Sequence, residues 1–250
     1  MTRHLDDAKA SLRRMIYDGL YKAGEPLREV QVAERLGVSR TLARLAMAEL
    51  ETDGLLLREP NRGCRVRAFS AREVADAIRV RGELEGMAAR LAAERGLSRA
   101  ERADWEAVLA RGDALLDSGR QDKAARTDWI AMNADFHAAV LAAADNAALV
   151  AACQRVSAMP LASPDAILFD APTVDGGGAA ATRRALAAAH RDHHEVFRAV
   201  AAREGERAAW LMREHARRSA ETKARLLGDR TGYSRLSALP GGKLVRPAFG

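Results

Sequence analysis

Cysteine, aromatic residues and long apolar runs are all scarce in this chain. Its 250 residues include two cysteines, Cys64 and Cys153, and only 4% aromatic residues. Two cysteines without a paired spacing exclude a disulfide framework or a cysteine zinc site and favour free thiols in a reducing compartment. No apolar run approaches the roughly 18 residues that a membrane-spanning helix needs. The acidic residues near the N-terminus are unlike a secretory signal, so we expect a cytoplasmic protein without a membrane partner.

Apolar and basic residues are plentiful. The chain is 48% hydrophobic and carries a formal net charge of +6, which allows a packed core and a polyanionic partner such as nucleic acid. Residues 1–69 hold most of the strand-like sequence, and residues 70–227 show helical periodicity almost throughout. Residues 228–250 lose that period and gain glycine and proline, so we expect a flexible tail. The predicted fold is mostly α.

The first 69 residues predict a winged helix-turn-helix domain, with three helices and a β-hairpin. Gly37 suits the left-handed conformation just past a helix end, and Ser39 can cap the next helix. A helix, a short turn containing glycine and a second helix form the helix-turn-helix arrangement. The predicted helices cover residues 9–20, 28–36 and 40–53, and the predicted strands cover residues 55–59 and 64–69.

Candidate DNA contacts lie at the start of the third helix and at the hairpin turn. Arg40 and Arg44 are four residues apart, so they share a helix face and can reach guanine edges or phosphates. Ser39 and Thr41 can bond phosphate oxygens. An arginine pair alone is more typical of a solvated face, but here it follows a turn and precedes a wing. The predicted DNA-binding residues are Ser39, Arg40, Thr41, Arg44, Arg62 and Gly63, and the expected partner is double-stranded DNA.

This segment resembles the winged helix of the GntR family of bacterial transcription regulators. The resemblance rests on matched motif positions, and the chain departs from the family pattern at Leu42, Ala43, Leu45 and Met47, which bear on the preferred promoter sequence. The matching residues are Leu27, Glu29, Leu36-Gly37-Val38-Ser39-Arg40-Thr41, Arg44, Ala46, Gly54-Leu55, Arg62-Gly63 and Val66.

A charged pair falls on the core side of the predicted helix over residues 73–94. Arg81 lies on the apolar stripe of this helix, and Glu85 follows one turn later. A buried charge is costly unless it is paired. One interpretation is an internal ion pair that holds the bundle together. The other is an arginine that faces a polar cavity and binds an acid.

Polar residues also fall on the inner face of the predicted helix over residues 127–144. Asn133 and His137 are four residues apart, so both point inward. A lone inward histidine is more often a hydrogen-bonded core residue than a metal ligand, so this pair needs support from elsewhere in the chain.

His193 and His215 supply that support, because each lies eleven residues from Glu204 at a predicted helix-hairpin turn. Eleven residues are about three helical turns, so the two should face each other in an antiparallel hairpin. His193 is centred on its apolar face, whereas His190 lies at the edge and His194 is rotated away. Three inward histidines and the amide oxygen of Asn133 suit a divalent transition metal such as zinc or nickel.

The helical part resembles the FCD domain, the ligand domain of the FadR/VanR branch of the GntR family, over residues 70–227. In that family the metal positions are commonly one aspartate and three histidines, and here Asn133 replaces the aspartate. The resemblance implies a small organic-acid effector held by the metal and Arg81, and a homodimer. The matching motifs are Arg81-x-x-Leu84-Glu85, Asn133-x-x-Phe136-His137, His193 and Ala208-x-x-x-Met212-x-x-His215.

The sequence therefore predicts a ligand-responsive transcription regulator and not an enzyme. We expect a dimer on a palindromic operator, with two winged helices in successive major grooves, and repression is the preferred hypothesis for its action. One alternative keeps the DNA binding but makes the helical domain a dimerisation scaffold without metal or effector. A less favoured alternative is a hydrolase in which the histidine-bound metal activates water.

Overall fold

A computed structural model describes residues 2–59, 63–120, 122–167 and 178–249. The architecture is mostly helical, with one small sheet near the N-terminus. None of the helices in these ranges combines the length and the apolar character that a membrane crossing requires. The elements in chain order are α1 (Thr2–Tyr17), β1 (Pro26–Leu27), α2 (Glu29–Leu36), α3 (Arg40–Thr52), β2 (Leu56–Glu59), β3 (Gly63–Val66), α4 (Ala71–Arg95), α5 (Arg99–Asp117), α6 (Lys123–Ala143), α7 (Ala147–Ser157), α8 (Gly178–Ala201), α9 (Gly205–Gly228) and α10 (Arg230–Leu236), followed by a 3-10 turn (Gly242–Leu244).

The N-terminal part is the expected winged helix. Helices α1 to α3 precede an antiparallel hairpin of β2 and β3, in which Leu56 pairs with Val66. The sequence did not reveal β1, which joins the other edge of β3 through the pairing of Leu27 with Cys64. A two-residue strand is too short to produce an alternating pattern, so nothing in the sequence marked it.

The helical part contributes α4 to α9. Ser70 caps α4 in a capping box with Glu73, and Ser98 caps α5 in the same way with Glu101. These reciprocal bonds satisfy backbone donors that a helix start otherwise leaves free. Inside this bundle, a core is built around Trp105, Phe136 and Met212, and other core residues come from α4, α7 and α8.

A second core joins the winged helix to the rest of the molecule. It contains Leu12 and Ile16 of α1 and also Val74 and Ile78 of α4. Leu161, in the segment after α7, belongs to the same core. The sequence predicts a domain boundary at residue 69. In the folded structure, apolar packing continues from one side of that residue to the other.

The C-terminal residues differ from the flexible tail that we expected. Leu236, Leu244 and Val245 are fully buried in the core that contains α1. The backbone is held as well, because Arg246 N donates to Phe69 O at 2.7 Å and Gly241 N donates to Tyr17 O at 2.9 Å. The prediction failed because α10 has only seven residues and the 3-10 turn only three, and elements this short leave little helical period in the sequence.

Candidate functional sites

The helix-turn-helix is set by two local features of the turn. Gly37 ends α2 in the left-handed conformation, with φ 66° and ψ 33°, which costs glycine little because it has no Cβ. The side-chain oxygen of Ser39 then accepts a hydrogen bond from Leu42 N at 3.2 Å and caps α3. Together these features fix the direction in which α3 leaves the turn.

The predicted DNA-contact residues at the start of α3 are all exposed. Ser39, Arg40, Thr41 and Arg44 lie at the surface. Within the described part of the chain, Arg40 and Arg44 form no ion pair, unlike many other arginines of this protein. Two unpaired guanidinium groups beside a helix N-terminus provide a concentrated positive charge for an anion.

The wing carries less free charge than its sequence indicates. Arg58 pairs with Glu51 at 2.7 Å, and Arg65 pairs with Glu59 at 2.8 Å. Gly63 is exposed at the start of β3 with φ 83°. The predicted contact Arg62 lies outside the described residues.

Sequence reasoning missed Arg28 as a member of this surface. Arg28 lies immediately before α2, where it is exposed and forms no ion pair with any described residue. It lines a groove together with Arg44 and Gly63. A single arginine in a connecting segment has no periodic signal, so only the folded arrangement reveals it.

In the helical part, three of the predicted metal ligands come together. His137 of α6, His193 of α8 and His215 of α9 are buried, and one ring nitrogen from each lies within 4.8 Å of the others. The rings of His193 and His215 are 4.9 Å apart between centroids. They face each other across the α8–α9 hairpin, as their equal distances from Glu204 predicted.

The hydrogen bonds of these histidines leave nitrogen atoms available for a cation. His137 Nδ1 is 3.0 Å from Glu85 Oε1, and His215 Nδ1 is 3.2 Å from Asp192 Oδ2. Each carboxylate therefore holds one Nδ1–H and leaves the Nε2 lone pair free, as in carboxylate–histidine–metal triads. Both ring nitrogens of His193 are buried and have no hydrogen-bond partner among the described residues. Buried polar atoms without partners are costly, and a bound metal would satisfy one of them.

Burial keeps His137 and His193 in the neutral form that binds metals. It lowers the pKa of His137, and it lowers the pKa of His193 well below the usual value, with the neighbouring His215 and His137 adding to the effect. Burial alone would raise the pKa of Glu85, but His137 and Arg81 outweigh it, so the Glu85 pKa is lowered. Neutral imidazoles backed by a carboxylate are suited to a divalent transition metal.

Asn133, the fourth predicted ligand, lies on the same cavity as His137 and His215. Its amide nitrogen donates to Pro164 O at 2.9 Å. The amide oxygen is then the atom that remains for a cation, although a neutral oxygen is a weaker ligand than a carboxylate.

The surroundings of Arg81 combine the two interpretations that the sequence allowed, an internal ion pair and a position beside a cavity. It is 2% exposed, and its Nε is 3.5 Å from Glu85 Oε1, so an internal ion pair is present. Arg81 also lines the cavity and donates from a terminal guanidinium nitrogen to Ala162 O. The pair with Glu85 stabilises the buried charge, and the position beside the cavity allows contact with an acid.

The cavity has a volume of about 340 Å³ and lies between α4, α6, α8 and α9. Among the described residues that line it, four are arginine or lysine and one is acidic, so the cavity favours an anion. Sequence reasoning named Arg81 and missed the other three cations, of which Lys223 is the buried one. The signal was present, because Lys223 falls on the apolar face of α9 between Ala220 and Leu227. The charged lining residues are Arg81, Arg218, Lys223, Arg225 and Asp192.

A second group of titratable residues joins α5 to α8. The Asp113 carboxylate is 3.1 Å from His190 Nε2 and 3.0 Å from His194 Nε2. His190 is buried, while the side chains of Asp113 and His194 are partly exposed. The sequence placed His190 at the edge of the inner face, apart from His193. In the structure, His190 contacts Asp113 of α5.

A winged helix followed by an all-helical domain is the domain arrangement of a class of bacterial transcription regulators. The family model "Bacterial regulatory proteins, gntR family" matches residues 5–66, and the model "FCD domain" matches residues 76–218. The chain belongs to the FCD-containing branch of the GntR family.

Named relatives agree with this assignment, and a solved structure shares the fold. The chain is 34% identical over 163 residues to a probable D-xylose utilization operon transcriptional repressor from Paenarthrobacter nicotinovorans, covering 62% of this chain and 68% of that protein. It is 27% identical to the HTH-type transcriptional repressor GlaR of Escherichia coli, covering 82% and 88%. The solved structure of E. coli McbR/YncC shares the fold, with TM-score 0.62, 19% identity and coverage of 89% and 97%. Two further relatives are matched over only 54% and 62% of their own lengths.

Proposed function

We propose that this regulator binds a palindromic operator as a homodimer through the N-terminal end of α3. The observation that carries the proposal is the exposed, unpaired state of Arg40 and Arg44 beside the capped helix start. These arginines contact base edges or phosphates, and Ser39 and Thr41 contact phosphates. Gly63 and Arg62 approach the DNA at the wing. Repression is the proposed action, because two relatives bear the name of repressor.

The helical domain is proposed to hold a divalent transition metal such as zinc or nickel through His137, His193, His215 and Asn133. Support comes from the partnerless nitrogens of His193 and from the two carboxylates that orient the other histidines. A bound metal supplies a Lewis-acidic cation to which a carboxylate can bind. The protein itself supplies the cavity and the guanidinium of Arg81, which donates hydrogen bonds to the same carboxylate.

Arg81 also offers a physical route from this cavity to the DNA-binding domain. It donates to Ala162 O, and Ala162 and Leu161 pack in the core that contains α1. Tyr17 of α1 in turn donates its hydroxyl to Ala158 O. An acid that takes over hydrogen bonds of Arg81 weakens its hold on residue 162, so the acid favours one placement of the winged helix over another.

A DNA-binding titration tests the first part of this proposal. The probe is a fluorescent duplex from the promoter region beside the chain's own gene. Arg40→Ala and Arg44→Ala should each weaken binding by roughly 5- to 150-fold, corresponding to about 1–3 kcal/mol for a lost base contact. Arg99→Ala is the matched control, because Arg99 of α5 is exposed and forms no ion pair with any described residue. Wild-type affinity in both α3 variants would refute the proposed interface.

Metal analysis tests the second part. Protein purified without chelator should carry about one transition-metal ion per chain, and His193→Ala should lose it. In a thermal-shift screen, small carboxylic acids should stabilise the loaded protein more than the chelator-treated protein. A metal-free protein whose melting temperature ignores both acids and chelator would favour the alternative, in which the helical domain is a dimerisation scaffold.

A further inference from the structure

Two buried cations of the cavity converge on adjacent peptide groups. Arg81 of α4 donates to Ala162 O, and Lys223 Nζ of α9 donates to Leu161 O at 2.6 Å. Consecutive Cα atoms are about 3.8 Å apart, so the two positively charged groups meet at one short stretch of chain. Both side chains also line the cavity.

Of Arg81 and Lys223, Arg81 alone forms an ion pair with a described carboxylate. Arg81 is paired with Glu85, and Arg218 on the same cavity is paired with Asp192 at 2.7 Å. Lys223 is 8% exposed and forms no ion pair with any carboxylate in the described ranges. A buried ammonium group held by a single carbonyl is poorly compensated, and its charge is directed at a cavity that is already positive.

We propose that Lys223 is a second anion contact of the cavity, so that the effector is a small acid with two anionic groups. This inference rests on the proposed function, in which Arg81 and the histidine cluster bind the first carboxylate. Lys223 binds the second group and gives up Leu161 O to do so. Because Leu161 and Ala162 are adjacent, a diacid releases both hydrogen bonds to this segment, whereas a monoacid releases only that of Arg81.

The size and charge of the cavity fit this ligand class. A volume of about 340 Å³ lies at the lower end of the ~300–1,000 Å³ typical of small-molecule sites. Burial, with Arg81 adding to it, lowers the pKa of Lys223 to about 7, so the side chain is partly neutral without ligand. A second anionic group nearby would stabilise the protonated form and draw a proton from solution.

The experiment compares acids of equal length that differ in one carboxylate, namely succinate with butyrate and glutarate with valerate. Affinities are measured by calorimetry on zinc-loaded wild type, Lys223→Met and the control Lys123→Met, which alters an exposed lysine of α6. A hydrogen bond to a charged group corresponds to roughly 10- to 100-fold in affinity. Wild type and Lys123→Met should therefore prefer the diacid by about that factor.

In Lys223→Met the diacid preference should fall to near parity, while the monoacid affinity stays within about 3-fold of wild type. Calorimetry in two buffers of different ionisation enthalpy should also show proton uptake for the diacid in wild type but not in Lys223→Met. A diacid preference that persists in Lys223→Met overturns this inference and leaves the proposed function intact. Equal affinity of wild type for the diacid and the monoacid also overturns the inference and leaves the proposed function intact. Absence of binding by every acid overturns both the inference and the proposed carboxylate site.

Discussion

Lys223→Met should stabilise the protein, and the gain should depend on pH. The pKa of Lys223 is lowered from 10.5 to about 7 by burial and by the positive charge of Arg81, with Asp165 opposing them. One pKa unit corresponds to about 1.4 kcal/mol, so the charged lysine costs the native state roughly 5 kcal/mol at pH values well below 7. Methionine has a similar length and carries no charge, so this cost disappears.

The sign follows from proton binding. Between pH 7 and pH 10.5 the unfolded chain keeps the Lys223 proton and the native state releases it, so the stability of wild type rises with pH across this window. The variant lacks this titration. Its advantage is therefore largest below pH 7 and falls towards zero as the pH approaches 10.5. Leu161 O loses its donor in the variant, which offsets about 1 kcal/mol or more of the gain.

Urea unfolding of chelator-treated wild type, Lys223→Met and Lys123→Met at pH 6 and pH 9.5 provides the measurement. We expect Lys223→Met to be more stable than wild type by about 2–4 kcal/mol at pH 6 and by much less at pH 9.5. The titration of the histidines is common to all three proteins, so it largely cancels in the differences. Lys123→Met should match wild type at both pH values. A gain that is independent of pH, or a loss of stability at pH 6, would refute the argument that Lys223 is a costly buried cation.

Three other substitutions test local features of the structure. Ser39→Ala removes the cap of α3 and should lower the free energy of unfolding by about 1 kcal/mol, with weaker DNA binding; unchanged thermal stability would contradict the capping role. Gly112→Ala places a Cβ 2.2 Å from the His190 ring, so overpacking should cost about 1–3 kcal/mol in chemical unfolding, and a neutral result would show that the α5–α8 contact is loose. Asn133→Asp supplies an anionic ligand and should tighten zinc binding at least about 10-fold in a chelator competition, while the metal-free form becomes less stable because Pro164 O loses its donor. Unaltered zinc affinity would place residue 133 outside the metal site.

The parts of the structure that the sequence predicted are those set by local geometry. The turn before α3 needs a left-handed residue and a cap, and Gly37 and Ser39 are residue types that supply them. The meeting of His193 and His215 also follows from local rules, because equal spacing from a hairpin turn places two residues at the same level. Their placement is confirmed, and their role as metal ligands stays a prediction.

The parts that the sequence did not predict depend on contacts between distant segments. Lys223 bonds a carbonyl 62 residues away, and Arg81 bonds one 81 residues away; neither carbonyl has a sequence signature, because every residue carries one. The mistaken expectation of a flexible tail has a similar origin. Leu244 is buried against residues from the other end of the chain, and a sequence without periodicity gives no sign of such a partner.

The docked C-terminus also determines when the winged helix can be completed during synthesis. Its α1 is synthesised well before Leu244 and Val245, yet these residues belong to the same core. Until Leu244 and Val245 have been synthesised, the apolar surface of the DNA-binding domain that they cover lacks these packing partners. A nascent or truncated chain that ends before residue 244 therefore exposes apolar surface on the domain that touches DNA.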